Sequence, residues 1–374
     1  MDRERRGSLA DNLRWIKYMV IKAGWRTALW APILLLVSCG PQADTVPMPA
    51  EADLVIFTAQ DEAVYEPVIK EFEERTNLKV RVENGSSEDM LRRLGEETDK
   101  GDNGKGSEKR DEASWDLVFG VGIETLEQSR DYWQPYESPE AGCITEAFQC
   151  SDSSWTSFSA LPLVIMYNTN VVTYRELPTG WGSLLEPRWK GRVAFMDPGQ
   201  SDIYSAALVA AVYTCDDSLE YLKQLMENLD YHTLRSLSEV NEGILDGRYS
   251  LGVTMEESAQ ALRTEGADID YIYPKEGITA IPDGTAILKD CAHRDAAEEF
   301  LDFTISMDVQ RILVSDLNRR SVRSDVPPLP GLSPISRLPL IEMDLQEMSE
   351  KKAMVSEEWN RILSSKTQDK EETP

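Results

Sequence analysis

The sequence predicts an α/β fold divided into two lobes, and two observations lead to that prediction. Short apolar runs, each suited to a buried strand, alternate along the chain with segments whose apolar residues recur at helical spacing. Such alternation indicates an α/β architecture, and there is more of it than one small sheet would hold. The chain has 374 residues, which is enough for two domains that each bury a core.

The domains are predicted to open with a strand, a helix and a second strand. The apolar run 53–58 suits a buried parallel strand. One face of the following helix carries Val64, Val68, Ile69 and Phe72. The next predicted elements are a strand at 79–82, a long solvated loop at 96–114, a strand at 115–119 and a helix from Glu124.

The second half of the chain continues the alternation. Apolar runs predict strands at 163–167, 192–196, 251–254, 271–274 and 285–288. Helical spacing predicts helices at 203–213 and 296–306, and it recurs over 345–362. A short helix is expected at 181–185, capped near Thr179 or Gly180. The charged end at 364–374 is expected to be a disordered tail.

The chain is strongly acidic. Lysine and arginine together number 39 against 66 aspartate and glutamate residues, so the formal net charge at pH 7 is -27. Binding to nucleic acid calls for a basic surface, and so does adsorption to anionic lipid headgroups. The composition therefore argues against both of these partners and suits a protein that stays soluble.

The N-terminal segment differs in kind from the rest of the chain. The basic residues Lys22 and Arg26 precede an apolar run over 28–37, which is too short to cross a bilayer comfortably. This order is typical of a secretory signal. The run leads into the sequence LVSCG at 36–40. That sequence resembles the lipobox of bacterial lipoproteins, in which the cysteine, here Cys39, is acylated (palmitate) and becomes the mature N-terminus.

The resemblance to a lipobox predicts a lipid-anchored protein of the cell envelope, in the periplasm or on the outer face of the cytoplasmic membrane. The signal segment is expected to cover 1–39, and the stretch 40–52 is expected to be a tether. An uncleaved anchor helix is the alternative to a cleaved signal. Either Met1 or Met19 can be the true start.

Four further cysteines follow Cys39, and an even number in an exported chain suggests disulfides. The spacing favours a local bridge between Cys143 and Cys150, which leaves Cys215 and Cys291 for a second one. Four cysteines allow three connectivities, so the pairing stays open. No metal site is predicted, because the chain has no CxxC spacing and only two histidines.

Four segments, in order along the chain, carry a family resemblance. They are 54–62 with 72–80, 115–119 with 133–139, 184–194, and 273–277 with 297–303. They resemble the ferric-iron and phosphorylated-solute branch of the extracellular solute-binding proteins of ABC importers. The resemblance implies the type II periplasmic-binding fold, a two-lobe α/β fold with mixed sheets, flanking helices and a ligand cleft between the lobes.

The resemblance also implies how the chain divides and what it works with. Lobe 1 is expected to comprise 53–155 and 276–310, and lobe 2 to comprise 156–275 and 311–363. A small solute closes the lobes by hinge rotation, and a membrane permease with its ATPase recognises the closed form. The protein is expected to be a monomer without a cofactor.

The candidate ligand residues lie beyond the carboxyl ends of strands, where loops and helix N-termini converge in such folds. Hydroxyl groups and free amides at helix starts suit a phosphate or a carboxylate. The alternative for each segment is a helix cap without a ligand. The rule selects one segment in each lobe: Thr58, Ala59 and Gln60 in the first, and Gln200, Ser201 and Asp202 in the second.

Two further pairs complete the predicted site. Ser157 and Ser159 lie where the chain should cross between the lobes, and the pair Glu256 and Glu257 ends a strand of the second lobe. Ferric-binding members of the family that this chain resembles place adjacent tyrosines near that point. Glutamates here argue against iron, and they can accept hydrogen bonds from sugar hydroxyls or bind an amine. A solvated acidic pair at a helix N-terminus is the alternative.

These observations predict a solute-binding protein and not an enzyme. Neither His232 nor His293 stands in a catalytic motif, and a carboxylate hydrolase using Glu256 or Asp202 is the remaining enzymatic alternative. We expect a small polar or anionic organic solute first, ferric iron or its chelate second, and a polyamine-like cation third. A lipoprotein that senses a ligand for a receptor is the other alternative to an importer component.

Overall fold

The computed structural model describes residues 52–101, 115–213, 215 and 217–371. The predicted signal segment with Cys39, nearly all of the predicted tether and the central part of the predicted loop at 96–114 lie outside these ranges. The contacts group residues 51–374 into one compact unit. No helix among the described residues is both long and apolar enough to cross a membrane.

The described residues form ten strands and ten α-helices. The strands are β1 (Leu54–Thr58), β2 (Val80–Asn84), β3 (Leu117–Gly122), β4 (Trp133–Gln134), β5 (Thr156–Asn168), β6 (Val193–Ala194), β7 (Leu251–Met255), β8 (Ile269–Ile272), β9 (Ala280–Leu288) and β10 (Arg320–Ser321). The helices among the described residues are α1 (Glu62–Thr76), α2 (Ser87–Gly101), α3 (Ile123–Gln128), α4 (Asp202–Tyr213), α5 (Ser218–Asn228), α6 (Leu237–Leu245), α7 (Glu256–Thr264), α8 (Arg294–Thr304), α9 (Met307–Leu317) and α10 (Leu345–Glu371).

Short 3-10 helices fill several connections. They cover Arg130–Tyr132, Ala141–Cys143, Glu146–Phe148, Tyr174–Glu176, Trp181–Leu185, Pro187–Trp189, Pro198–Gln200 and Ile335–Arg337. The one at Trp181–Leu185 follows Gly180, as the sequence predicts.

The long strand β5 connects the two parts of the sheet system. The strand order along the main path is β2-β1-β3-β9-β5-β7-β6. The first half of β5 pairs antiparallel with β9, from Thr156 to Pro162. Its second half pairs antiparallel with β7, from Leu163 to Tyr167. One continuous strand therefore passes from one part of the molecule into the other.

The first core lies on both faces of the sheet formed by β1, β3 and β9. Successive residues of β1 point to opposite faces, so that Leu54 and Ile56 pack on one side while Val55 and Phe57 pack on the other. Helices α1 and α8 cover the first of these faces, where Phe72 meets Phe300 edge to edge. A strand that is buried on both faces consists of a continuous apolar run, which is why β1 could be predicted from the sequence.

The second core lies around β7 and the second half of β5. Its helices include α4, α5 and α6, and the C-terminal helix α10 adds Met348, Val355, Trp359 and Ile362. Trp359 is completely buried and tilts against the ring of Phe195. The apolar spacing recognised in the C-terminal sequence therefore belongs to a helix that completes this core.

Several elements differ from their predicted bounds. Helix α2 continues to Gly101, into the stretch predicted as a loop at 96–114, because Met90 and Leu94 anchor it in the first core. Helix α10 continues to Glu371, although a disordered tail was predicted from 364 onward. The hydroxyl of Ser364 donates a hydrogen bond to the carbonyl of Asn360, one turn earlier in the same helix.

Neither predicted disulfide is present. Cys143 and Cys150 are thiols, and the Cys150 thiol donates a hydrogen bond to the carboxylate of Asp152. Cys215 packs against the second core and donates to a backbone carbonyl of its own helix, while Cys291 packs against the first core. Burial in different cores explains why the second pair is not joined, which the sequence spacing does not reveal.

Candidate functional site

Three predicted segments converge on one side chain, Arg319, that the sequence analysis did not single out. Its Nε lies 2.6 Å from the carboxylate of Glu257, and its Nη1 donates to Asp283 at 3.1 Å. Gln60 and Ser159 bind the same Asp283 carboxylate. We call these five residues the Arg319 cluster. The Arg319 side chain is only 7 % exposed.

Asp283 is the most completely bonded member of the Arg319 cluster. It lies in β9 and accepts from the Ser159 amide at 2.9 Å, the Ser159 hydroxyl at 2.7 Å, the Gln60 amide group at 2.8 Å and the Arg319 guanidinium at 3.1 Å. Burial raises the pKa of the Asp283 carboxyl, although Arg319 and the hydrogen bonds from Ser159 act in the opposite direction. A buried carboxylate with this many donors holds Gln60 and Ser159, the cluster residues that come from the first core, in a fixed geometry.

Glu257 reaches the cluster from the second core. It stands in the first turn of α7, directly after β7. Burial raises the pKa of the Glu257 carboxyl, and the nearby carboxylates of Asp283 and Asp61 add to this effect while Arg319 opposes it. Its buried Oε2 atom pairs with Arg319 Nε at 2.6 Å and meets no second donor among the described residues. The oxygen therefore keeps capacity to accept a donor.

The neighbouring residues Glu256 and Arg320 form a second buried pair. Arg320 Nε donates to both carboxylate oxygens of Glu256, at 2.9 and 3.1 Å. The same guanidinium donates to the hydroxyl of Tyr273 at 3.1 Å and to the carbonyl of Ser333 at 2.5 Å. Burial raises the pKa of Glu256 despite the opposing charge of Arg320. Each charged atom of this pair is occupied by a protein group.

In the first predicted segment, two residues pack within the protein and one joins the Arg319 cluster. Thr58 is fully buried, and its hydroxyl donates to the carbonyl of Phe119 at 2.8 Å. Ala59 packs at the edge of the first core. The Gln60 side chain donates to the carbonyl of Gly120 at 2.6 Å as well as to Asp283. Only Gln60 of these three therefore joins the Arg319 cluster.

The two serines of β5 also separate. Ser159 joins the cluster, but the hydroxyl of Ser157 donates to the carbonyl of Phe148 at 2.7 Å. The pairing of β5 with β9 shifts register between these two serines. A bulge at this point changes the direction of neighbouring side chains, which explains why the two hydroxyls meet different partners. The role of both serines as ligand residues stays a prediction.

The segment of Gln200, Ser201 and Asp202 lies at the start of α4, as predicted, and contributes none of the contacts described for Arg319. The turn is held locally, since the Asp197 carboxylate accepts from the Gly199 amide at 3.0 Å. The Ser201 amide donates to the carbonyl of Pro198 at 3.4 Å. The side chains of Gln200 and Asp202 lie outside the described atoms. Their role as ligand residues stays a prediction.

A cavity of about 90 Å³ lies beside β10, away from the predicted ligand segments. Arg320 and Arg323 line it together with Thr145, whose buried hydroxyl has no hydrogen bond from the described residues. The first arginine is held by Glu256, and Arg323 is held by carboxylates at 2.6 and 2.8 Å. Both cations that line the cavity are therefore paired with protein carboxylates, as Arg319 is.

Sequence reasoning missed Arg319, Arg320 and Asp283. The two arginines follow directly after α9, which ends at Asn318 in a left-handed conformation. Adjacent arginines between a helix and a strand are conspicuous in a chain of net charge -27, and they are the signal that could have been used. Asp283 offers no comparable signal, because it is one of many acidic residues.

The described residues contain no group of three histidine, cysteine, aspartate or glutamate side chains arranged to hold a metal ion. His293 is engaged with the buried carboxylate of Asp116, at 2.9 Å from Nδ1. The Arg319 cluster brings one guanidinium together with two carboxylates, a side-chain amide and a hydroxyl group.

Comparison with known proteins gives a consistent result. The model of the family described as bacterial extracellular solute-binding protein matches residues 112–330. The major ferric iron-binding protein of Neisseria meningitidis serogroup B is 20% identical over 326 residues, which are 82% of this chain and 92% of that protein.

Solved structures show the same fold. The ferric binding protein from Campylobacter jejuni matches with a TM-score of 0.69 at 18% identity, covering 83% of this chain and 99% of that one. The periplasmic binding protein AfuA from Actinobacillus pleuropneumoniae, with fructose-6-phosphate bound, matches with a TM-score of 0.68 at 19% identity, covering 83% and 98%. The predicted two-lobe type II periplasmic-binding fold is confirmed, while the predicted lobe boundaries stay a prediction.

Proposed function

Because the chain belongs to the family of bacterial extracellular solute-binding proteins, we propose that it is the lipid-anchored solute-binding component of an ABC importer. It captures a small polar or anionic organic solute by hinge closure and delivers it to a permease and its ATPase. The anchor is the acylated Cys39, which keeps the protein at the outer face of the cytoplasmic membrane. The protein carries out no chemistry on the solute.

The observation that supports this proposal is the convergence on Arg319. Gln60, Ser159 and Asp283 approach it from the first core, and Glu257 approaches it from the second. A solute bound at this point would touch both lobes at once. Its binding energy would therefore depend on their separation, which is the requirement for a ligand that shifts an open–closed equilibrium.

The chemistry of the cluster favours an anionic group on an otherwise polar solute. The guanidinium of Arg319 is a planar fork suited to carboxylate or phosphate. Oε2 of Glu257 lies beside it with capacity to accept a hydrogen bond, for example from a hydroxyl group. An incoming anion would share Arg319 with Asp283 and displace Glu257, whose carboxyl would then take up a proton, because burial already raises its pKa. A hydroxylated carboxylate or a sugar phosphate meets both conditions.

Ferric iron is the second candidate, because a specific observation favours it. The N. meningitidis relative that covers most of the chain is a ferric iron-binding protein. Carboxylate oxygens are suitable donors for a hard cation, and Glu256 with Glu257 stands where that branch of the family is expected to carry tyrosines. Against iron, both glutamates are already bound by arginines. Release of Glu256 would leave Arg320 as an uncompensated buried cation.

Thermal unfolding with added solutes tests the proposal. We would express residues 45–374, which omit Cys39, and measure the Tm with sugar phosphates, phosphonates, hydroxycarboxylates, polyamines and ferric citrate. A solute present at a hundred times its Kd adds about 2.7 kcal/mol of stability, which raises the Tm of a protein of this size by several degrees. We expect one anionic organic class to do so. A rise with ferric citrate alone would establish the second candidate, and no rise with any probe would contradict the proposal.

The anchor has its own test. Growth of the expressing bacterium with labelled palmitate should label the full chain, and Cys39→Ser should abolish both the label and the recovery of the protein in the membrane fraction. A matched control is Cys150→Ser, which should leave the label unchanged. Retention of the label in Cys39→Ser would contradict the lipid anchor while leaving solute binding untouched.

A further inference from the structure

The C-terminal helix α10 carries a lysine where its pattern calls for an apolar residue. Met348, Val355, Trp359 and Ile362 form its buried stripe and belong to the second core. These positions follow helical steps of three and four, and Lys352 occupies the step between the first two of them. Lys352 is only 8 % exposed. A lysine is almost never this deeply buried without a charged partner.

The ammonium group of Lys352 finds that partner in the other half of the molecule. Its Nζ lies 2.5 Å from Oε2 of Glu124, whose side chain is 22% exposed. Glu124 stands in the first turn of α3, between Ile123 and Leu126, which are both buried in the first core. The ion pair therefore joins a helix that completes the second core to a helix of the first core.

The pair also lies next to elements of the candidate site. Helix α3 begins directly after Gly122, at the carboxyl end of β3. Two residues earlier on the same strand, the carbonyl of Gly120 accepts the hydrogen bond from Gln60 of the Arg319 cluster. Helix α10 in turn packs against the turn at Pro198–Gln200, which precedes the second predicted ligand segment. Helix α10 thus contacts α3, which begins close to the carbonyl that Gln60 binds, and it also contacts the turn before the second predicted ligand segment.

We propose that Lys352 is a positioning residue for solute capture, which acts through Glu124 to hold α10 of the second lobe against the first lobe and so stabilises the closed form. The inference rests on the proposed function, because it assumes that opening and closing of the lobes accompany binding. The ion pair is formed when the lobes are close. Their separation exposes both groups to water and loses the contact, so the pair opposes opening.

The energetic weight of the pair follows from its burial. An exposed ion pair contributes little, because water and salt screen it and both long side chains lose freedom. The Lys352 side chain is 10% exposed, so screening is weaker here than at the surface. Loss of the contact should change the ratio of open to closed molecules by about tenfold, the middle of the usual range for coupling between sites.

Small-angle X-ray scattering of the solute-free protein measures this effect directly. The protein would be residues 45–374, which contain the compact unit described above. Lys352→Met removes the charge and places an apolar side chain of similar length in the buried stripe, so the second core stays filled. Glu124→Gln removes the charge from the other side. Both variants should show a larger radius of gyration than the unmodified chain.

Lys351→Met is the matched control. Lys351 is the adjacent residue on α10, and it pairs with Glu347 at 3.7 Å on the exposed face of the helix. This variant should scatter like the unmodified chain. The exchange Glu124→Lys with Lys352→Glu restores an ion pair of opposite direction and should return the radius of gyration toward its original value.

Unchanged scattering in both Lys352→Met and Glu124→Gln would overturn the inference. If the Tm of these variants falls at the same time, the ion pair serves helix docking alone. Neither measurement needs a solute, so failure here is distinguishable from failure of the solute screen. Once a solute is found, the same variants should bind it more weakly, by at most about tenfold, since fewer molecules are in the closed form.

Discussion

Arg319 and Arg320 are neighbours in the chain, and they bind the neighbouring glutamates Glu257 and Glu256, yet the two ion pairs differ in completeness. Arg320 and Glu256 are 4% and 1% exposed, and every charged atom meets a protein group. Arg319 and Glu257 are 7% and 15% exposed, and Oε2 of Glu257, which lies 2.6 Å from Arg319 Nε, meets no second donor among the described residues.

The difference between the pairs separates structure from binding. A buried pair whose hydrogen bonds are all satisfied inside the protein has nothing left to offer a solute, and its loss leaves a buried charge uncompensated. A carboxylate oxygen with a single donor keeps a lone pair for a hydrogen bond from a solute. We therefore propose that the Arg320 pair is structural and that the Arg319 pair meets the solute.

The largest expected effect is on stability. Arg320→Met should lower the free energy of unfolding by about 3–5 kcal/mol, because it leaves the fully buried Glu256 without its cation. Arg319→Met should cost clearly less, because Asp283 keeps the donors of Gln60 and Ser159 and Glu257 is partly exposed. Urea unfolding of the two variants measures both values. Equal losses would remove the distinction between the pairs.

The next effect is a change in pH dependence. Burial raises the pKa of Glu257 in the folded state above its ordinary value, so the folded protein binds this proton more tightly than the unfolded chain does. Its contribution to stability is therefore full below the ordinary pKa of a glutamate and is lost as the pH rises through the raised folded value.

Glu257→Gln removes this titration while keeping the size of the side chain. Between about pH 4.5 and neutrality, the unmodified protein should lose stability relative to the variant, by at most about 1.4 kcal/mol per pH unit. Urea unfolding at a series of pH values gives the two curves, and Glu265→Gln on the exposed end of α7 is the control. Parallel curves for the unmodified protein and Glu257→Gln would show that burial of this carboxyl is not a cost to the fold.

The smallest expected effect comes from a residue that is hydrogen-bonded to the Arg320–Glu256 pair. Tyr273→Phe removes the hydroxyl that accepts from Arg320 at 3.1 Å, which should cost about 1 kcal/mol of stability. The response of the Tm to solute should not change, since Tyr273 is bonded to the structural pair. A weakened solute response in this variant would extend the site beyond the Arg319 cluster.

Local patterns made much of the fold predictable. The buried run of β1 and the apolar face of α1 are each contained in a short stretch of sequence, and they lie where the sequence predicts them. The continuation of α2 to Gly101 was missed because the sequence from 96 onward is charged and poor in apolar residues. The apolar residues that anchor the helix, Met90 and Leu94, lie before that stretch. The disulfide prediction failed because cysteine spacing does not encode which core each cysteine enters.

The site was predictable only in part, for a related reason. Gln60, Ser159 and Glu257 were selected because they stand near strand ends or at the predicted crossing, and the structure brings these three together. Arg319 directly precedes β10 and Asp283 lies in β9, both far along the chain from the segments they meet. Which arginine faces which glutamate depends on how β5, β9 and β10 align, and that is a property of the assembled sheet.

The most direct test of the account compares Arg319→Lys with Arg320→Lys in a calorimetric titration with the first solute that raises the Tm. Lysine keeps the positive charge but lacks the planar fork. The account predicts that Arg319→Lys weakens binding by about tenfold or more, as loss of a charge-assisted hydrogen bond would, while Arg320→Lys lowers the Tm and leaves the Kd within about twofold. Unchanged affinity in Arg319→Lys, or an equal loss in both variants, would contradict the assignment of Arg319 to the solute.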